Sequence, residues 1–344
     1  MTTATKKTNA AGLARNDYKG GESTLCRGCG HDSISNQIIT AAYDLGLKPE
    51  EVIKLSGIGC SSKSPAYFLG QSFGFNSVHG RMPTIATGAL LANRSVHAIG
   101  VSGDGDTGSI GLGHFKHMIR RNLRLVYIVE NNGVYGLTKG QFSATAEEGL
   151  ELKVGQNRFP QIDLCAEALA SKATFVARSF SGDTRQLRAL LMAAFSHRGT
   201  AILDVISPCV TFNDRGMMSY TFGKEHQELL HEITFVPPAE EITVDYEPGA
   251  YQDIELHDGS HIRLKKLEED YDPRDRLEAI CRIEKARANH EFITGLVYLN
   301  EDEESFAETM KLVSEPLATL PEEVVRPSRD ALATTMKLFS LGRG

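Results

Sequence analysis

In GDGD, residues 103–106, Gly103, Asp104, Gly105 and Asp106 set an acid between two residues without Cβ, where an apolar run passes into a helical pattern. Without Cβ atoms the backbone N–H groups there can approach an anion. The positive end of the next helix, read over about 107–121, aims at the same place. A diphosphate suits such a turn, but an Asp inside it would repel phosphate unless a cation stood between them. Mg2+ does so by taking carboxylate and phosphate oxygens together. Twenty-five residues separate Gly105 from Asn131, enough for one helix and one strand, so the chain returns to the same sheet edge. Asn132 and the carbonyl of Val134 then offer further oxygens to an ion that demands six in octahedral geometry. A dinucleotide fingerprint is the weaker reading, because it needs three glycines at fixed spacing and no acid against the pyrophosphate. An accidental glycine turn between strand and helix is the bland alternative.

The cysteines add a second chemistry. Cys26 and Cys29 form a C-x-x-C pair in LCRGCGH, Cys60 ends EVIKLSGIGC, and Cys209 lies in SPCVTF. Two intervening residues let both thiolates of the pair reach one metal centre. Spacing alone leaves an iron–sulfur cluster, structural zinc and, for the pair, a redox dithiol all open; zinc usually shows two close pairs, and one is close here. Cys165 in IDLCAEALA and Cys281 in LEAICRIEKA fall at apolar phases of helical patterns and read as core residues. His114 and His117, three apart with no third ligand beside them, read as packing or surface residues.

These turns need strands and helices to carry them. A helix is expected from HDSISNQIITAAYDLGL, with Asp32 and Ser33 as N-caps and Gly46 at its end. Strands are expected in EVIKLSGIGC, SVHAIGVSGDGD, LRLVYIVENN, ATFVARSF and TAILDVISPC, with helices near 107–121, 161–171 and 183–198 between them. Strands 125–130 and 201–206 are nearly continuous apolar runs, as in a parallel sheet covered on both faces. The expected fold is α/β, a doubly wound and mainly parallel sheet whose strand ends bring the four sensitive turns to one crevice. Residues 1–22 read as a flexible arm, 23–235 as the site-bearing domain and 236–344 as an extension packing on it or on a partner subunit.

The bulk composition excludes several classes. Of 344 residues, 41% are hydrophobic and 24% charged, ordinary for a globular chain. A net charge of −7 and the lack of a basic, aromatic-laced stripe argue against nucleic acid. No apolar stretch nears the roughly 20 residues of a membrane span, and MTTATKKTNAAGLARND has no secretory core. A cytoplasmic location is the expectation, and six cysteines are too few for a disulfide scaffold.

The GDG and NN pattern is similar to the thiamine diphosphate motif. With LCRGCGHDSI, SGIGCSS, HGRMPTIATG, NNGVYGLTKGQFSAT and CVTFND in order over roughly residues 22–235, the chain resembles the β subunits of the 2-oxoacid:ferredoxin oxidoreductases. The resemblance implies thiamine diphosphate, Mg2+ on Asp104, Asn132 and the Val134 carbonyl, and a [4Fe-4S] cluster on Cys26, Cys29, Cys60 and Cys209. It implies cofactor contacts from Ile58, Gly59, Cys60, Ser61, His79, Gly103, Asp104, Gly105, Asp106, Asn132, Gly136 and Leu137. Lys139 in LTKGQ is a candidate for holding a substrate carboxylate, against a solvated loop lysine.

The reaction it implies is coenzyme A-dependent oxidative decarboxylation of a 2-oxoacid, 2-oxoglutarate in preference to pyruvate. Electrons would pass to ferredoxin through one cluster, since no C-x2-C-x2-C run is present. The carboxylate that drives ylid formation has no Glu among the glycine turns and is expected from an α subunit, making the chain inactive alone and half of an α2β2 assembly. Two rival readings are a non-redox thiamine diphosphate lyase or synthase and a zinc-stabilised, noncatalytic nucleotide-binding subunit.

Overall fold

In strand β4 (Leu125–Asn131) successive side chains enter opposite cores, because strand periodicity is two. Leu125, Tyr127 and Val129 join one apolar cluster; Val126 and Ile128 join another on the far face. The computed structural model, which describes residues 7–152, 154–211, 241–256 and 261–340, builds this into a nine-stranded sheet. Six strands run parallel: β2 (Phe73–Asn76), β1 (Val52–Ser56), β3 (His97–Gly103), β4, β10 (Thr200–Ile206) and β9 (Phe175–Phe180). Two-residue hairpins, β5 with β6 (Val134–Tyr135, Gln141–Phe142) and β7 with β8 (Glu151–Leu152, Gly155–Gln156), lie between β4 and the next helix. Helices α2 (Met82–Ala92), α3 (Leu112–Arg121) and α4 (Leu164–Ala170) feed the first core; α1 (Gly30–Asp44) and α5 (Thr184–Ser196) feed the second. The doubly wound, mainly parallel α/β architecture is therefore as the hydrophobic pattern dictates.

Several details differ. Helix α1 begins at Gly30, ahead of Asp32 and Ser33, with Cys29 at the N-cap position and no capping side chain; the Ser33 hydroxyl is instead spent on the Ser181 carbonyl at 2.8 Å. Helical backbone starts at Asp104, not near 107, and passes through a π turn over Asp106–Ile110, closed by Gly111 N–H to Asp106 O at 2.8 Å. Such turns gather at functional sites. Strand β2 and helix α2 went unassigned in the sequence, although Pro83 in the first turn of α2 is a helix-start signal.

Beyond residue 250 the chain rejoins the sheet. β13 (Phe292–Leu299) pairs antiparallel with β9, β12 (His261–Lys266) parallel with β13, and β11 (Tyr251–Glu255) antiparallel with β12. The order across the sheet is thus β11-β12-β13-β9-β10-β4-β3-β1-β2. Helix α6 (Arg276–Ala288) lays Ala279, Ile283 and Ala286 on the first core. Cys281 falls two residues off that stripe and is exposed, a correction to its core reading; Cys165 is fully buried. Of the segment read as a flexible arm, residues 1–6 lie outside the described residues, while Tyr18 is fully buried and accepts from Asn9 Nδ2 at 2.7 Å. The boundary at 235 and the end of CVTFND also fall outside the described residues. Among the described residues no helix is long and apolar enough to cross a membrane.

Candidate functional site

The carboxyl ends of β1, β3 and β4 are adjacent, and β1 and β3 sit where the chain, having stepped outward to β2, crosses back; ligands gather at such reversals. A small cavity opens there, walled by Ile58 to Ser61 after β1, Gly103 to Asp106 after β3, and Asn132, Val134 and Gly136 after β4. Three distant turns named from sequence thus meet. Gly59, at φ +109°, takes a backbone conformation that side chains rarely adopt, and it turns the chain into Cys60. Ser61 is buried, and its hydroxyl has no partner, an orphan that a bound group would satisfy.

Asp104 is 1% exposed. The hydroxyls of Ser143 and Thr145 point to its Oδ2, the latter at 2.5 Å, and the Asn132 N–H reaches Oδ1 at 3.4 Å. Burial pushes the Asp104 carboxyl above its ordinary range, against the pull of those hydroxyls. A cation at Oδ1 would reverse that push. Asn132 forms a tight turn of its own, its Oδ1 accepting from Val134 N–H at 3.1 Å. Asp104, Asn132 and Val134 are all buried at the cavity, an oxygen set suited to a hard divalent ion.

Asp106 has a different task. Its Oδ1 accepts from Gly80 N–H at 2.7 Å and its Oδ2 from the Ser102 hydroxyl at 2.9 Å, so the carboxylate pins the HGR loop to the β3 turn. His79, on that loop, is exposed and outside the cavity wall, as are Leu137 and Lys139. Lys139 adopts φ +78°, a left-handed conformation for a side-chain-bearing residue in the 136–140 turn. His114 bonds Thr84 through Nδ1 at 2.9 Å.

Cys26 is exposed, and Cys29, Cys60 and Cys209 are half-buried. Burial raises the Cys29 thiol well above its ordinary range, with further pushes from Glu130, Cys209 and Cys60 and an opposing pull from the His31 amide. Cys60 is pushed up to about 11, first by burial and then by Cys209 and Cys26. Cys60 and Cys209 thus stand near enough to bear on Cys29, and Cys209 and Cys26 on Cys60. Among the described residues no group of three or more His, Cys, Asp or Glu side chains is arranged around a single ion.

Glu130 escaped the sequence reading. It is fully buried on the cavity wall, accepts from the Ser64 hydroxyl at 2.8 and 2.9 Å, and lies 3.6 Å from His31 Nε2. Burial holds its carboxyl well above the usual range, while burial lowers His31 to about 4, so burial disfavours the charged form of each. His31 Nδ1 shares a hydrogen bond of 2.8 Å with the Ser207 hydroxyl. The available signal was a lone acid inside an apolar strand.

A family model described as the thiamine pyrophosphate enzyme C-terminal TPP-binding domain matches residues 57–205, and one for the C-terminal part of the pyruvate ferredoxin oxidoreductase beta subunit matches residues 261–315. The 2-oxoacid:ferredoxin oxidoreductase subunit beta of Saccharolobus solfataricus is 44% identical over 55% of this chain and 63% of its own length. The 2-oxoglutarate oxidoreductase subunit KorB of Mycobacterium tuberculosis is 43% identical over 55% of this chain and 51% of its own. For the 2-oxoglutarate synthase subunit KorB of Methanocaldococcus jannaschii the values are 38%, 56% and 71%. The chain thus spans between half and two thirds of the first two relatives. A structure of 2-oxoglutarate:ferredoxin oxidoreductase from Magnetococcus marinus with 2-oxoglutarate, coenzyme A and succinyl-CoA bound superposes with a TM-score of 0.70 at 27% identity, over 91% of this chain and 94% of that one.

Proposed function

The chain belongs to the family of 2-oxoacid:ferredoxin oxidoreductase β subunits, and from that membership we propose that it works in the coenzyme A-dependent oxidative decarboxylation of a 2-oxoacid, with 2-oxoglutarate as substrate. The carrying observation is the cavity at the strand ends, where buried Asp104 and the unpartnered Ser61 hydroxyl stand beside Cys60. The names of two relatives and the ligands of the Magnetococcus marinus structure favour 2-oxoglutarate and succinyl-CoA.

The donor set fits thiamine diphosphate with Mg2+: Asp104, Asn132 and the Val134 carbonyl would hold the ion, and the amides of the 103–106 turn would face the diphosphate. Thiamine diphosphate, when bound, supplies the carbanion chemistry at the keto carbon. The chain's own part is to bind and orient. Ser143 and Thr145 aim the Asp104 carboxylate, Asp106 fastens the loop at Gly80, and the turn glycines let backbone come close. Cys26, Cys29, Cys60 and Cys209 would hold a [4Fe-4S] cluster beside the cofactor, and Lys139 a substrate carboxylate from the rim. An α subunit supplies the missing carboxylate in an α2β2 assembly in the cytoplasm, and ferredoxin takes the electrons.

The test is anaerobic purification with the α subunit, followed by iron and thiamine diphosphate analysis and a panel of 2-oxoacids with coenzyme A and ferredoxin. Brown protein with about four irons per β chain and a preference for 2-oxoglutarate is expected. Colourless, iron-free protein overturns the redox reading. A preference for pyruvate, the substrate named by the C-terminal family model, overturns the substrate.

A further inference from the structure

Behind Asp104 runs a buried polar line. Asp204, on β10 and without solvent exposure, accepts from Asn131 Nδ2 at 2.9 Å through Oδ1 and from Arg178 Nε at 2.8 Å through Oδ2. Arg178, on β9 and 4% exposed, also donates to Oδ1 of Asp163, the N-cap of α4, at 2.8 Å. Toward the cavity, Asn131 Oδ1 lies 3.0 Å from the Thr145 hydroxyl, which lies 2.5 Å from Asp104 Oδ2 and 2.9 Å from the Ser143 hydroxyl.

From Arg178 to Asn131 the polarity of this line follows from the donors and acceptors present. Guanidinium only donates and ionised carboxylates only accept. Arg178 occupies Asp204 Oδ2, so Oδ1 is left to accept, and Asn131 must turn its NH2 to Asp204 and its oxygen to Thr145. The backbone carbonyl of Asn131 is fixed as well, by Ser207 N–H at 2.8 Å. Asn131 thus has one orientation, and the peptide leading to Asn132 shares it. The Thr145 hydroxyl, with one proton for two acceptors, is held between Asn131 Oδ1 and Asp104 Oδ2, and the Ser143 hydroxyl also points to Oδ2, while Oδ1 faces the Asn132 N–H. A buried Arg with two carboxylates is a poor way to gain stability, since taking each ion out of water is costly and apolar replacements often do as well. Fixing an amide's direction is something apolar side chains do not do.

We propose that Asp204 and Arg178 are positioning residues for the divalent cation site: through Asn131 and Thr145 they aim Asp104 and set Asn132. The inference rests on the cation reading of Asp104 made above. Partners one step removed from metal ligands typically change affinity by about 10- to 100-fold when lost, and that range is expected here.

The test uses Mn2+ as the probe, added to the anaerobically purified assembly with thiamine diphosphate, free Mn2+ being read by electron paramagnetic resonance. Asp204→Asn, Arg178→Gln and Thr145→Val should each weaken Mn2+ binding about 10- to 100-fold, while Thr145→Ser, which keeps the hydroxyl, binds as the wild type does. Leu190→Ala, in the opposite core, should lower the melting temperature and leave Mn2+ affinity unchanged, which separates aiming from general destabilisation. Wild-type protein that fails to bind Mn2+ overturns the cation reading itself. Wild-type binding with equal affinity in Asp204→Asn and Thr145→Val overturns the positioning inference alone. If Asp204→Asn fails to fold, the Val and Ser substitutions at Thr145 decide: equal affinity in both overturns it.

Discussion

Tyr135 lies across Gly105: its hydroxyl donates to the Gly105 carbonyl at 2.9 Å, and a Cβ on Gly105 would stand 2.4 Å from its ring. The glycine after Asp104 therefore serves the hairpin over the cavity as much as the anion. Gly105→Ala should push Tyr135 away, costing about 1–3 kcal/mol as overpacking does and weakening thiamine diphosphate binding. Tyr135→Ala should recover part of the stability lost in Gly105→Ala, measured as a double-mutant cycle. Additive losses would mean the two residues do not share this contact.

The parallel sheet and the meeting of the 58–61, 103–106 and 132–136 turns were legible because β-prone runs, each ending in glycine or polar residues, repeat along the chain. Side-chain partners across the cavity were not. That Asp106 spends both oxygens on Gly80 and Ser102 depends on α2 bringing the HGR loop back, and α2 itself was unassigned. Cys165 and Cys281 share the same local signal, an apolar phase in a helix. They separate only because tertiary contacts select Ala279, Ile283 and Ala286 as the buried stripe of α6.

The thiols carry a direct prediction. Cys60→Ala should abolish the visible absorbance and lower bound iron in anaerobically purified protein. Cys165→Ala should keep both and cost about 1 kcal/mol, as removal of one buried atom does. Cys281→Ala, at an exposed site, should change neither. Equal iron loss at positions 60 and 165 would sink the ligand assignment.

Lys54 is buried on β1, and its ammonium donates to the carbonyls of Pro65 and Phe68 at 2.7 and 2.8 Å, holding the segment after Cys60 against the sheet. Desolvation lowers it to about 8 from 10.5. Between those values the unfolded chain keeps a proton that the folded chain has shed, so this residue makes stability rise with pH across the window. Denaturant melts at pH 7.5, 9 and 10.5, compared with Lys54→Met, should show the wild type gaining on the variant. A difference that stays flat with pH would show that Lys54 does not titrate there.

Glu130 titrates with the opposite consequence. Burial holds its carboxyl well above the ordinary 4.5, so above that pH the folded chain keeps a proton the unfolded chain has lost, and stability falls as pH rises toward the folded value. Glu130→Gln preserves the shape and an acceptor for the Ser64 hydroxyl but removes the titration. Its stability relative to wild type should therefore grow from pH 5 upward. Glu130→Ala should instead lose about 2–4 kcal/mol, from a cavity and an orphaned Ser64 hydroxyl. Denaturation of the three proteins over pH 5 to 8 checks both statements. A Gln variant that loses ground as pH rises would mean that Glu130 is ionised in the folded chain, and that a cation or donor beyond Ser64 compensates it.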